Sequence, residues 1–213
     1  MFEMVKSGGW LMVPIILCSM VSLAIIAERF WSLRIDKVLP KHLVATVWNS
    51  VKNNTFQTSD LELLSKQSAL GKILSAGLVN RNQPRERIKE SIEERGREVV
   101  HELERFQDIL GTIASISPLL GLLGTVVGMI AVFATITTHG VGDPGALAGG
   151  ISQAMVTTAA GLSVAIVSLV FYRYFRRRID TIVVEMEREA IKMVDVLHNN
   201  RKLSSTNKAE RAA

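Results

Sequence analysis

From Ile109 to Tyr172 the chain runs 64 residues with one formally charged side chain, Asp143, and from Ser7 to Ala27 it runs 21 with none. A helix with one face in water keeps a polar stripe, so it cannot remain charge-free over such lengths. The two stretches hold 85 of the 213 residues, and the remaining 128 carry 44 of the 45 charged side chains. Averages of 48% apolar and 21% charged conceal this partition. It excludes a soluble cytosolic enzyme, and it excludes a disordered chain as well. The sequence predicts an all-α integral membrane protein.

Three transmembrane helices follow from length. Gly8 to Ala27 supplies about the twenty apolar residues that cross a hydrocarbon core of roughly 30 Å. Its leading segment, MFEMVK, has no net positive charge and no small-residue cleavage pattern follows, so a retained anchor is expected instead of a signal peptide. Arg29, Arg34 and Lys37 lie directly after it, which predicts an N-terminus outside and a cytoplasmic exit, with Trp10 and Trp31 at the two interfaces. The 64-residue stretch would extend roughly 96 Å as one helix, too long for a single crossing. The turn-forming cluster His139-Gly-Val-Gly-Asp-Pro-Gly145 divides it, with Asp143 as a turn residue. Arg173, Arg176, Arg177 and Arg178 then end the third span on the cytoplasmic side. The expected organisation is an outside segment and first span over 1–37, a cytoplasmic helical region over 38–111 and a second span over 112–137. A periplasmic loop over 138–146, a third span over 147–172, a cytoplasmic helical extension over 173–198 and a disordered tail over 199–213 complete it.

Spans two and three are expected to extend far into the cytoplasm as helices. Ile88, Ile92, Val99, Leu103, Phe106, Leu110 and Ile113 fall on one stripe at helical period, and Ile179, Ile182, Met186, Ala190, Met193 and Leu197 form a matching one. Pro84 suits a first helical position, from which the helix is expected to continue without a stop into the second span. In the insert, Thr58-Ser59-Asp60 reads as a helix start.

The formal charge of +5 comes from cations held in the two cytoplasmic segments, 14 Lys/Arg over 28–108 and 10 over 173–213. That is an orientation signal, and nucleic acid is not an expected partner; membrane lipid is. Cys18 is a lone cysteine inside an apolar span. His42, His101, His139 and His198 have no metal-ligand spacing, no phosphate-binding loop follows a strand, and no paired carboxylates flank a membrane pocket. No catalytic residue, metal or cofactor is therefore expected.

The spans carry small residues suited to close helix packing. Gly124 and Gly128 have the i, i+4 spacing, and Ser117, Gly121 and Thr125 make a mildly polar strip at i, i+4, i+8. In the third span Ala154, Thr158, Gly161 and Ala165 share one face, while Gln153, Thr157 and Ala160 share another about 100° away. Two readings of these residues stand side by side. The hydroxyls bond back to their own helices and the strips only pack, or Thr125, Thr158 and Gln153 line a polar, partly wet passage. No Asp, Glu, Lys, Arg or His lies in any span core, so a proton path here needs its titrating group on another chain.

Ser117-Pro-Leu-Leu-Gly-Leu-Leu-Gly-Thr-Val-Val-Gly-Met-Ile130 resembles the second-span signature of the ExbB/TolQ/MotA family of proton-driven stator subunits. Gly150-Ile-Ser-Gln-Ala-Met-Val-Thr-Thr-Ala-Ala-Gly-Leu162 resembles its third-span signature, and three spans rather than four match the ExbB/TolQ branch. The resemblance covers residues 5–200 and implies a pentameric ring in the bacterial inner membrane. The ring would enclose the single transmembrane helices of a dimeric ExbD/TolR-like partner whose Asp carries the proton, and a TonB- or TolA-like protein would receive the work. Thr125 and Thr158 correspond to the family's pore threonines, with Thr157 and Gln153 beside them. Pro118, Gly121, Gly124, Gly128 and Gly161 would serve helix packing. Gln153 stands where ExbB and TolQ proteins usually carry Glu, which removes a possible second titrating site from this subunit. A non-conducting membrane scaffold is the alternative.

Overall fold

The computed structural model describes residues 8–40, 47–49, 58–139 and 144–210. Its helices, in chain order, are α1 Met12–Ser32, α2 Ile35–Val38, α3 Thr58–Gln67, α4 Ala69–Val79, α5 Arg85–Glu104, α6 Gln107–His139 and α7 Pro144–Glu210. No strand occurs among the described residues. Three helical stretches, Met12–Ser32, Arg85–Thr138 and Leu147–His198, are long and apolar enough to cross a membrane. The protein is thus a multi-pass, all-helical membrane protein. At 1.5 Å per residue the 67 residues of α7 run about 100 Å, so most of that helix lies beyond a hydrocarbon core of about 30 Å.

Several boundaries differ from the sequence expectation. The helical stretch Arg85–Thr138 runs into the second span as expected, with a two-residue turn at Arg105 and Phe106 between α5 and α6. The interruption is slight: Arg105 keeps right-handed helical angles, and the Leu110 amide donates to the Phe106 carbonyl at 3.3 Å. Phe106 has a separate engagement, its ring receiving the Arg29 guanidinium 4.9 Å from the centroid. Pro84 caps α5 instead of opening it, with an extended ψ of 154° that its fixed φ permits equally well. The helix that carries the third span begins at Pro144, a residue well suited to a first helical turn, and its apolar stretch opens at Leu147 as expected. At the far end α7 continues to Glu210 through the segment expected to be disordered. Its Lys, Arg, Leu, Ala and Glu residues are strong helix formers, which a reading based on polarity alone overlooks. The centre of the turn cluster, 140–143 with Asp143, lies outside the described residues, as do the first seven residues.

The chain divides into two compact units, residues 1–29 with 106–175 and residues 30–105 with 176–213. The second unit is a helical bundle whose core is assembled by the two amphipathic stripes. Ile88, Ile92, Val99 and Leu103 of α5 and Ile179, Ile182, Met186, Ala190 and Met193 of α7 are all buried, together with Leu70, Ile73, Leu74 and Leu78 of α4. Ser68 starts α4 by accepting the Gly71 amide at 3.0 Å, which satisfies one orphan donor of the first turn. Gly77 lets α4 approach closely, since a Cβ there would sit 2.8 Å from Ile92 Cδ1. Lys72–Glu102 at 2.5 Å ties α4 to α5, and Arg85–Asp195 at 2.8 Å ties α5 to α7. A groove of about 620 Å³ runs along this bundle, floored by Ile92, Val100, Met186 and Val194 and edged by Arg97 and Glu187.

The first unit packs α1, α6 and the opening half of α7. Its outer surface is apolar: Val13, Leu17 and Met20 on α1, Leu119, Leu122 and Phe133 on α6, and Met155, Ile166 and Val170 on α7 are all exposed. Trp10 and Trp31, at 68% and 64% exposed, mark the two ends of the first span.

Candidate functional site

The seam between α6 and α7 is where the small and hydroxylic residues meet. A Cβ on Gly161 would stand 2.5 Å from the Ser117 carbonyl oxygen and 3.0 Å from the Gly121 Cα, so the two backbones touch. A Cβ on Gly121 would lie 3.0 Å from the Thr158 Cα, and one on Gly128 would lie 2.9 Å from the Ala154 Cβ. Gly124 faces Thr157, whose Cβ would be 2.5 Å away. Only glycine permits backbones this close, and dispersion over the contact then replaces what a side chain would supply. Increasing residue number along α6 meets decreasing number along α7, so the pair is antiparallel. Pro118 lies inside α6 and is half-buried.

The polar residues divide by their neighbours. Thr158 is half-buried, and its Oγ1 donates across the seam to the Gly121 carbonyl at 2.9 Å. Thr125, one turn beyond Gly121, is half-buried and donates to its own helix at Leu122, 2.6 Å away. Thr157 is 0% exposed and donates to the Ala154 carbonyl at 2.9 Å and the Gln153 carbonyl at 3.1 Å. Thr157 is thus enclosed within the protomer, where the sequence expectation set it beside a passage. Gln153 is half-buried, and its Nε2 lies against Gly9, where a Cβ would collide with it. Gly9 has φ +69°, a left-handed conformation that glycine adopts without strain. The carboxamide of Gln153 is thereby packed under the turn that leads into α1.

Three further features escaped the sequence reading. Ser22 of α1 and Ser168 of α7 are both buried and their hydroxyls lie 2.7 Å apart, pairing the first span to the third. The available signal was a serine within each apolar run, since a hydroxyl in such surroundings calls for a partner. Arg29, read only as an orientation charge, is 3% exposed, pairs with Glu28 at 2.7 Å and stacks on Phe106. Gln107 and Ser117 hold the buried side-chain polar atoms that lack a partner among the described residues. No cluster of three or more metal-ligating side chains occurs among the described residues.

The arrangement defines a class: a polytopic helical membrane protein whose second and third spans are joined by a glycine-tight, hydroxyl-bearing seam that contains no titratable group. Residues 65–188 match the family model described as the MotA/TolQ/ExbB proton channel family. The chain belongs to that family. It is 34% identical over 174 residues to the biopolymer transport protein ExbB-like 1 of Synechocystis sp., covering 78% of this chain and 66% of that one. It is 30% identical over 179 residues to a biopolymer transport protein ExbB homolog of Methanothermobacter thermautotrophicus, covering 84% and 63%. Against the biopolymer transport protein ExbB of Salmonella typhimurium it is 30% identical over 184 residues, covering 78% and 74%. The chain therefore spans just under two thirds of the first two of these relatives.

Proposed function

We propose that this chain is the ring-forming, proton-conducting subunit of an ExbB-type energy transducer in the bacterial inner membrane. Five copies enclose the single spans of a dimeric ExbD/TolR-like partner, and the proton rides on an acid of that partner. The N-terminus is periplasmic and the C-terminus cytoplasmic, and the work is delivered to a TonB- or TolA-like protein acting on biopolymer transport or envelope upkeep. One observation carries the reading beyond family membership: hydroxyls at Thr125 and Thr158 remain half-exposed in the protomer beside a seam without any titratable side chain. Such groups can orient water and hydrogen-bond a protonated acid on another chain, while storing no charge themselves. The energy scale is adequate, since one charge crossing 100 mV yields about 2.3 kcal/mol. Gln153, packed on Gly9, serves the entry of the first span and donates no proton.

A second reading has an observation in its favour. Thr125, Thr157 and Thr158 all donate to backbone carbonyls, as they would in a non-conducting scaffold. Co-expression with a single-span, Asp-bearing partner separates the two readings. Native mass spectrometry is expected to give five copies of this chain with two of the partner. Proton flux into proteoliposomes is expected to be lost in Thr158→Val while that stoichiometry persists. Unchanged flux in an intact complex would establish the scaffold.

A further inference from the structure

One hydroxyl in the seam stands apart from the rest. Ser115, Thr125, Thr157, Thr158 and Ser163 each donate to a carbonyl, and Ser22 and Ser168 satisfy each other. Ser117 is 0% exposed, and its Oγ has no hydrogen-bond partner among the described residues. Because that burial is complete within one copy, neither a neighbouring copy nor a partner chain can reach the hydroxyl. An unmet donor in an apolar surround carries its full desolvation penalty.

The next residue creates a second unmatched group beside it. Pro118 has no N–H, so the carbonyl of Ala114 lacks its helical donor. Ala114 and Ser117 are three residues apart and share a face of α6. The register of the seam indicates what lies across from them. Gly128 meets Ala154, Gly124 meets Thr157 and Gly121 meets Thr158. Ser117 itself meets Gly161, and one further turn in the same antiparallel sense leaves Ser168 a turn beyond and sets Ala165 across from Ala114. Alanines on both sides there leave methyl groups where bulkier side chains would close the gap.

We infer that Ser117 and the Ala114 carbonyl hold a water molecule in this seam, between the Thr158–Gly121 hydrogen bond and the Ser22–Ser168 pair. The water accepts from Ser117 Oγ–H and donates to Ala114, which satisfies both orphaned groups in one step. Its consequence rests on the proton-path reading above: Ser117 becomes a positioning residue that steadies the α6–α7 seam beside the Thr158–Gly121 bond.

The test uses the full-length protein in lipid bilayers with its single-span partner. Water-edited solid-state NMR on the wild type is expected to show magnetisation passing from water to residues 114–118, as it does at exposed sites. In Ser117→Ala that transfer is expected to be lost and proton flux to fall, and Ser117→Thr, which keeps the hydroxyl, is expected to restore both. A dry segment in the wild type overturns the inference without touching the role of Thr158. Transfer lost with flux unchanged in Ser117→Ala overturns the positioning role. A wet segment in the wild type, together with unchanged flux in Thr158→Val, upholds the water site while removing the proton path itself.

Discussion

Replacing Gly161 by alanine tests the seam most directly, because what the new methyl meets is backbone and cannot swing aside. Its Cβ would lie 2.5 Å from the Ser117 carbonyl oxygen, 3.0 Å from the Gly121 Cα and 3.1 Å from the Gly121 nitrogen. Relief requires α6 and α7 to part by most of an ångström, and such overpacking costs about 1–3 kcal/mol. The same shift stretches the 2.9 Å bond from Thr158 to the Gly121 carbonyl beyond useful length. Losing that bond adds about 1 kcal/mol. Alanine's better helix propensity returns about 1 kcal/mol, so the expected net destabilisation is about 2 kcal/mol. Gly149 is the internal control: it lies on the same helix, and a Cβ there meets nothing within 4 Å. The assay is reversible unfolding by SDS in mixed micelles followed by circular dichroism, comparing Gly161→Ala and Gly149→Ala with the wild type. If Gly161→Ala matches the wild type, or if Gly149→Ala is equally damaging, the backbone contact does not carry the seam.

The same titration checks two further expectations. Ser22→Ala orphans the buried Ser168 hydroxyl and is expected to cost about 1–2 kcal/mol. The double variant Ser22→Ala/Ser168→Ala is expected to recover much of that loss, a coupling that independent sites would not show. In the second unit Gly96 sits inside α5 on the edge of the groove, with open space around its would-be Cβ, so Gly96→Ala is expected to raise stability by about 1 kcal/mol. A loss of stability instead would mean the groove wall needs the glycine.

What the sequence revealed depended on how local the governing physics is. The stripes from Ile88 to Leu103 and from Ile179 to Leu197 were legible because burial repeats at the helical period, and every one of those residues is buried. The break at Arg105 and Phe106 was not legible, since no glycine or proline marks it and the backbone barely departs from helical angles. The Ser22–Ser168 pair was hidden for a different reason. It joins residues 146 apart, and nothing in either span names the other. Gln153 likewise reads as a polar residue on a helix face, and only the folded turn at Gly9 gives it a neighbour.

Thr157 and Thr158 show how finely the seam separates packing from chemistry. They are adjacent, chemically identical and about 100° apart on one helix. Thr157 points at Gly124, is wholly enclosed, and spends its hydroxyl on its own helix. Thr158 reaches the carbonyl of Gly121 and keeps part of its surface open. The missing side chains of Gly121 and Gly124 make both arrangements possible, so the glycines decide which threonine keeps an open surface. Adding a methyl at Gly124 would press on the Thr157 side chain, whereas adding one at Gly121 would press on the backbone of α7 at Thr158. The placement of the Thr158 hydroxyl, on which the proposed proton path depends, is therefore set by the closeness of two helices.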